Sequence, residues 1–426
     1  MSHSSPRLID TCGWNALLGR RSPKPKAEGA IRAKYAVVGA GFTGLAAARR
    51  LAELEPASEI AVVESSVLGE GPSSRSSGFA APFNPPRIVA PADAERLTAI
   101  NKFTREGMDW LRSLIAAHGI GCDLVQCGWI KAAATERGER VIAELSRSRQ
   151  PPRGEFLTAD QMQTLVGSTF YRGGLYFVDA YLLQPAALIR GLGETLPGNV
   201  RLYERTAVTA IEDCGRWLLR TSDASITADC VILANNALVK ALGYLRDRLI
   251  TIYTYAAMTE PISPGDDRDI GAAAWGVLPT HRLGTTSRRV GENRLLVRSL
   301  YSYERPMPAL RAHEMLDARF RRRYPSLSDI KMEFVWGGTT ALTMNGSPVW
   351  GSLGRGLYVS AGCNGAGIAK GTALGKKLAE AIAFQRRDAE LEAAFGQASW
   401  IAPEPLRSLG FRIVSAWEQR RAGLES

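Results

Sequence analysis

The sequence predicts an α/β fold, and three observations predict it. Residues 36–38 (Ala-Val-Val) form a short apolar run of buried-strand type, followed by Gly39-Ala40-Gly41-Phe42-Thr43-Gly44, a helical stretch at 45–54 and a second apolar strand at 60–63 that ends in Glu64. Residues 228–236 read as a further strand of the same kind. Near the other end of the chain a strand at 356–360, the glycine-rich loop 361–367 and a helix from about 368 to 384 repeat the strand, loop, helix order.

Each element follows from its residues. An apolar run without polar alternation suits a parallel strand covered on both faces. Gly39 permits the tight turn, Gly41 lets the backbone approach a pyrophosphate where a Cβ would collide, and Gly44 allows the helix to pack close to the strand. The helix start, with Phe42 and Thr43 in its first turn, offers free N–H groups and about half a positive charge to phosphates. Glu64 follows Gly44 by 20 residues, the distance at which an acid reaches the adenosine ribose hydroxyls and repels a 2′-phosphate. A Rossmann-like dinucleotide site is therefore expected, with Ser65 beside Glu64, and NADP is disfavoured.

The loop that follows, Gly71-Pro72-Ser73-Ser74-Arg75-Ser76-Ser77-Gly78, carries hydroxyls, glycines and one cation where a simple NAD domain would place another short helix. It suits an extended diphosphate and a bulky ring. The second glycine loop, with Gly362, Asn364, Gly365, Gly367 and Ile368, aims another helix start at negative charge, as a reduced flavin would require.

Composition narrows the rest. With 426 residues, 45% hydrophobic and 22% charged, the chain has room for more than one domain and a sizeable core. No run approaches the roughly 20 apolar residues of a membrane span, and Arg20-Arg21 is followed by Ser-Pro-Lys-Pro-Lys rather than an export signal's apolar segment. A soluble, cytoplasmic protein is expected. Much of the +11 formal charge falls before residue 35, and the run Arg319-Phe320-Arg321-Arg322-Arg323 is expected to be the basic outer face of an amphipathic helix, with no nucleic-acid partner. Six scattered cysteines give no metal spacing or disulfide framework, so no metal is expected, and four histidines without a G-x-S-x-G leave no hydrolase triad.

On these motifs the chain resembles the D-amino-acid-oxidase-like FAD oxidoreductases, the superfamily of glycine and sarcosine oxidases, and within it the γ-glutamylputrescine oxidase-like amine oxidases. The resemblance runs from about residue 36 to 382 and includes Arg205-Thr206-Ala207-Val208-Thr209-Ala210-Ile211, Trp336-Gly337-Gly338 and Met344-Asn345-Gly346-Ser347-Pro348. It implies an FAD domain assembled from separated segments, 31–110, 176–245 and 337–400. An α+β substrate domain built on an antiparallel sheet, 111–175 and 246–336, is inserted between them. Residues 1–30 are a basic extension, and 401–426 a C-terminal one. The resemblance places Val208, Ala234 and Asn235 near the cofactor, although relatives usually show Gly or Ala where Asn235 and Asn236 stand. Residues 122–134, 250–258 and 294–303 read as strands of the inserted domain, with a helix at about 310–324. Some relatives attach FAD through a cysteine at the position of Gly338, so the FAD here is expected to be non-covalent.

What the family implies as chemistry is hydride transfer from the carbon of a C–N bond to flavin N5, giving an imine. Oxygen would then reoxidise the flavin with hydrogen peroxide as product, or a dehydrogenase would pass electrons to a quinone or carrier. A non-catalytic flavoprotein or a basic binding module is the reading from another class. The substrate would be an amine, imino acid or amino acid. Tyr253, Tyr255, Tyr301, Tyr303 and Trp336 supply aromatics on segments expected to face the flavin, with core packing the alternative reading for each. Arg298, in the otherwise apolar strand stretch 295–299, is the first candidate for an anion or flavin contact, because burying an unpaired cation there would cost several kcal/mol. The carboxylate-binding Lys of sarcosine-oxidase-like relatives corresponds to Ala369, and Lys370 stands one residue, a 100° turn, away.

Overall fold

A computed structural model of the chain describes residues 11–85, 91–148, 152–263, 270–291 and 293–426. Two eight-stranded sheets organise it. In the first, Leu357–Ala361, Ala224–Leu233, Gly29–Val38, Ile60–Val63 and Val200–Tyr203 run parallel in that spatial order, with Val349–Gly354 antiparallel at one edge. Val37, Val62 and Ile232 lie side by side on its centre and are fully buried, each side chain contributing about 1.5–3 kcal/mol by leaving water. The second sheet begins Met332–Leu342, Ile250–Thr259, Arg294–Tyr303, Thr286–Val290, all antiparallel, and continues through Gly276–Pro279, Trp129–Ala133, Gly173–Phe177 and Glu155–Thr158.

Helices Phe42–Leu54 and Ala369–Ala383 pack against each other at their small residues. A Cβ on Gly375 would come within 2.2 Å of the Thr43 carbonyl oxygen, so only glycine allows the approach. That approach brings the loops preceding both helices to one place, although more than 300 residues separate them. Helix Pro91–Ala117, which sequence reasoning did not anticipate, covers Ala369–Ala383 from the far side.

Several expectations change. The strand expected over 122–134 is confined to Trp129–Ala133, because Asp123 and Gly128 adopt positive φ and break the extended run. Helix Ala309–Arg323 buries Leu316 and Phe320 as its periodicity requires, but Arg323 is buried too. Its guanidinium donates to the Glu425 carbonyl (3.1 Å) and lies 4.5 Å from the Phe170 ring centroid, so the basic run is not wholly an outer face. Finally, the N-terminal extension is packed on its own chain over its described part: Cys12, Trp14 and Ala27 are buried. Arg21 pairs with the fully buried Glu204 at 2.7 Å, and the Ala27 N–H donates to Thr206 Oγ1 at 3.0 Å.

Candidate active site

A cavity of about 660 Å³ runs from the first glycine turn, along loop 69–78, to the second sheet and the second glycine loop. At one end Gly39, Gly41 and Phe42 form its wall with Glu64 and Ser65. Gly39 holds φ +104°, a conformation that disfavours any side chain, and a Cβ on Gly41 would meet Ser73 Oγ at 2.6 Å. Glu64 is fixed by the backbone: its carboxylate accepts from the N–H groups of Ala40 (2.9 Å) and Ser66 (3.0 Å). A carboxylate has about four acceptor sites, so capacity remains for ribose hydroxyls.

The middle of the cavity is walled by Ser74, Arg75, Ser76, Ser77 and Gly78, opposite Val208, Ala234 and Asn235. Ser74 Oγ, Ser76 Oγ and Asn235 Oδ1 are buried there without a hydrogen-bond partner in the protein. Leaving such a group unsatisfied costs about 1–3 kcal/mol, and a polar ligand along the wall would satisfy all three. These orphaned atoms, the glycine cradle and Glu64 together fit a dinucleotide cofactor. The Arg75 guanidinium is itself tethered, donating to the carbonyls of Glu70 (2.9 Å) and Gly337 (3.1 Å).

Gly365, Gly367 and Ile368 join the wall beside Phe42, followed by Ala369 and Lys370 in the first helical turn, and sheet residues Tyr255, Thr286, Arg298 and Gly338 complete it. The one-residue offset therefore does not keep Lys370 from the wall. Arg298 Nη1 donates to Tyr301 Oη at 2.8 Å, and Tyr301 in turn donates to the Arg282 carbonyl at 3.0 Å. Among the described residues Arg298 has no carboxylate partner, which leaves its charge available to an anion. Tyr255 contributes its ring only: its hydroxyl bonds Ser302 Oγ (2.6 Å) and accepts from the Met307 N–H (2.5 Å), and burial pushes the phenol pKa up.

Six expected site residues stand off the described cavity wall. Thr43 and Gly44 serve helix packing; a Cβ on Gly44 would lie 1.9 Å from the Gly39 carbonyl oxygen. Asn364 staples its own loop, its amide donating to the carbonyls of Gly346 (3.0 Å) and Gly362 (2.7 Å) while its oxygen accepts from the Thr343 N–H (2.9 Å). Gly362 donates its N–H to Asn236 Oδ1 at 2.9 Å, a bond that ties the two halves of the site and gives Asn236 a role the sequence left open. Tyr301 supports Arg298 from behind. Trp336 is buried beneath the cofactor loop, where its Nε1 donates to the Arg75 carbonyl at 3.1 Å, so it is not a pocket aromatic. Tyr253 and Tyr303 likewise do not reach the wall.

Sequence reasoning missed the brace behind loop 69–78. Trp14 Nε1 donates to the Ser76 carbonyl (2.8 Å) and Asn15 Nδ2 to that of Gly69 (2.5 Å). Arg288 Nη1 donates to the carbonyls of Ser77 (3.0 Å), Gly78 (3.3 Å) and Leu183 (2.9 Å), with its guanidinium 5.2 Å from the Trp14 ring. Burial pushes the Arg288 pKa down to about 10, still above neutral pH, so the guanidinium stays charged there despite its burial. None of these donors lines the cavity. The loop's carbonyls are thus engaged away from it, and the hydroxyls are left facing the ligand. The only hint was an Arg pair inside a strand pattern and a lone Trp in a basic tail.

Comparison with known proteins agrees with this geometry. The family model described as FAD dependent oxidoreductase matches residues 34–381. The chain is 27% identical over 395 residues to the gamma-glutamylputrescine oxidoreductase of Escherichia coli, covering 90% of each chain. To a probable oxidoreductase, OrdL, of Haemophilus influenzae it is 26% identical, covering 82% of this chain and 83% of the relative. Glycine oxidase from Geobacillus kaustophilus superposes with a TM-score of 0.74 at 22% identity, over 87% of this chain and all of that one. The chain belongs to the FAD dependent oxidoreductase family, it is an enzyme, and its cofactor is FAD.

Proposed function

We propose that the enzyme oxidises the C–N bond of a small amine that also carries a carboxylate, an amino or imino acid, and that oxygen is the final acceptor. One observation carries the reading: the Arg298 guanidinium, which has no carboxylate partner among the described residues, stands on the wall where the cavity from the glycine cradle meets the inserted sheet. The names of the relatives, a gamma-glutamylputrescine oxidoreductase and a glycine oxidase, support nitrogen-bearing substrates. When bound, FAD supplies the two-electron acceptor for the substrate's C–H hydride, leaving an imine that water hydrolyses.

The chain's own residues bind, orient and exclude. Arg298, held by Tyr301, would fix the substrate carboxylate, and the Tyr255 ring would shed water from the reacting carbon. Glu64 would hold the ribose, the first glycine turn the diphosphate, and Ser74, Ser76 and Asn235 the middle of the cofactor. The helix start at Gly367–Ile368 would favour negative charge at its end of the cavity. Gly338 offers no thiol, which supports dissociable FAD.

Anaerobic titration of the purified yellow protein with amines, cyclic imino acids and amino acids tests the reading by loss of flavin absorbance. Bleaching by carboxylate-bearing amines is expected, and Arg298→Met should weaken their binding by about 1.5–3 kcal/mol while sparing carboxylate-free amines. Bleaching by none of the panel would overturn it. Stopped-flow mixing of the reduced protein with air-saturated buffer tests the acceptor: reduced flavin persisting for minutes would assign the electrons to a carrier instead.

A further inference from the structure

Helix Leu406–Ala422 presents the wrong face to solvent. Its inner side is largely polar: Glu418 pairs with His281 (2.8 Å) and Arg282 (2.6 Å), while Phe411 packs 4.8 Å from the Tyr303 ring. Its outer side carries Leu406, Leu409, Ile413 and Trp417, each more than half exposed. At ~100° per residue these four fall within about 80° of one another, a single stripe. Fourteen large apolar side chains are exposed among the described residues, and five of them lie on this helix. An apolar concentration of this kind on one element marks an interaction surface.

Charge selects the occupant. The helix holds Arg407, Arg412, Arg420 and Arg421 against one acid, and that acid, Glu418, is already engaged inward. Arg421 lies 4.0 Å from the Trp417 ring, cation beside aromatic at the edge of the stripe. A second copy laid on the same stripe would set cations against cations. An anionic lipid surface satisfies both features, taking the apolar stripe below its headgroups and the arginines at their level. No described helix is long and apolar enough to cross a membrane, so the contact would be parallel to the surface.

We propose that Leu406–Ala422 is an interfacial anchor that lays the enzyme on an anionic lipid surface. The anchor is coupled to the active-site wall. Glu418 holds Arg282, whose carbonyl accepts from Tyr301, and Tyr301 supports Arg298.

Sedimentation of the full-length holoprotein with vesicles tests this. Binding to mixed phosphatidylglycerol/phosphatidylcholine vesicles is expected, weakened by added salt and at least about tenfold weaker on phosphatidylcholine alone. Ile413→Glu/Trp417→Glu should reduce binding by at least about tenfold, with flavin content unchanged. Equal binding by native protein and variant, or no binding to the anionic vesicles, would overturn the proposal. So would light scattering that shows a dimer dissociated by the same variant, since a second copy would then occupy the face.

Discussion

Trp14 and Trp417 stand near opposite ends of the chain, both outside the residues that match the family model, and their surroundings are opposite. Trp14 is buried, bonded to the Ser76 carbonyl and covered by Arg288 and Trp336. Trp417 faces out on an apolar stripe. The flank before the match is basic, with six Lys/Arg against two acids, whereas residues 382–426 balance six against six. The difference lies in what their polar atoms meet: the N-terminal segment finds backbone carbonyls of the cofactor loop, whereas the helix near the C-terminus is held through Glu418 and leaves its apolar stripe uncovered.

The comparison can be broken most decisively at the tryptophans themselves. Trp14→Ala should cost about 3–5 kcal/mol and raise the FAD dissociation constant, whereas Trp417→Ala should stay within about 0.5 kcal/mol, both read by denaturant titration and flavin fluorescence. Trp14→Phe, which keeps the packing and loses the bond to Ser76, should weaken FAD retention more than global stability; an unchanged FAD affinity would make Trp14 a packing residue only. A smaller contrast is expected between the two flanks' ion pairs. Arg21→Ala leaves the Glu204 carboxylate buried without its cation, at about 3 kcal/mol, while Arg282→Ala removes a cation that is itself exposed, at about 1 kcal/mol or less.

The smallest effect is in pH. Burial pushes the Cys12 thiol from its ordinary 9.0 up to about 11. A thiol kept protonated by folding contributes stability that is complete below pH 9.0 and lost as pH rises through about 11. Alkylation near pH 8 should therefore modify the exposed Cys214 and spare Cys12, and labelling of Cys12 should increase in Trp14→Ala as the brace loosens.

Local pattern made the parallel strands and both glycine turns legible, because a βαβ unit writes its turn, helix start and terminal acid into one short stretch. The two strands Ile250–Thr259 and Arg294–Tyr303 also stand almost as expected, since their apolar and aromatic residues are contiguous. The brace was not legible. Trp14, Arg288 and Trp336 serve loop 69–78 through side-chain bonds to backbone carbonyls, and a carbonyl leaves no trace in residue identity. The burial of Trp336 beneath the loop was not legible for the same reason: an aromatic on a strand has two faces to choose from, and here it packs against a tryptophan more than 300 positions earlier.

The order in which the brace is completed bears on how the protein matures. Ser77 is held by a residue 211 positions later, and Arg75 by a carbonyl 262 positions later. A nascent chain emerging from the ribosome carries the glycine fingerprint early but cannot lock the wall beside it until most of the polypeptide has been made. Fragments that end before Arg288 would hold the recognisable motif without the ability to keep FAD, and flavin loading becomes a late event, coupled to closure of the whole enzyme.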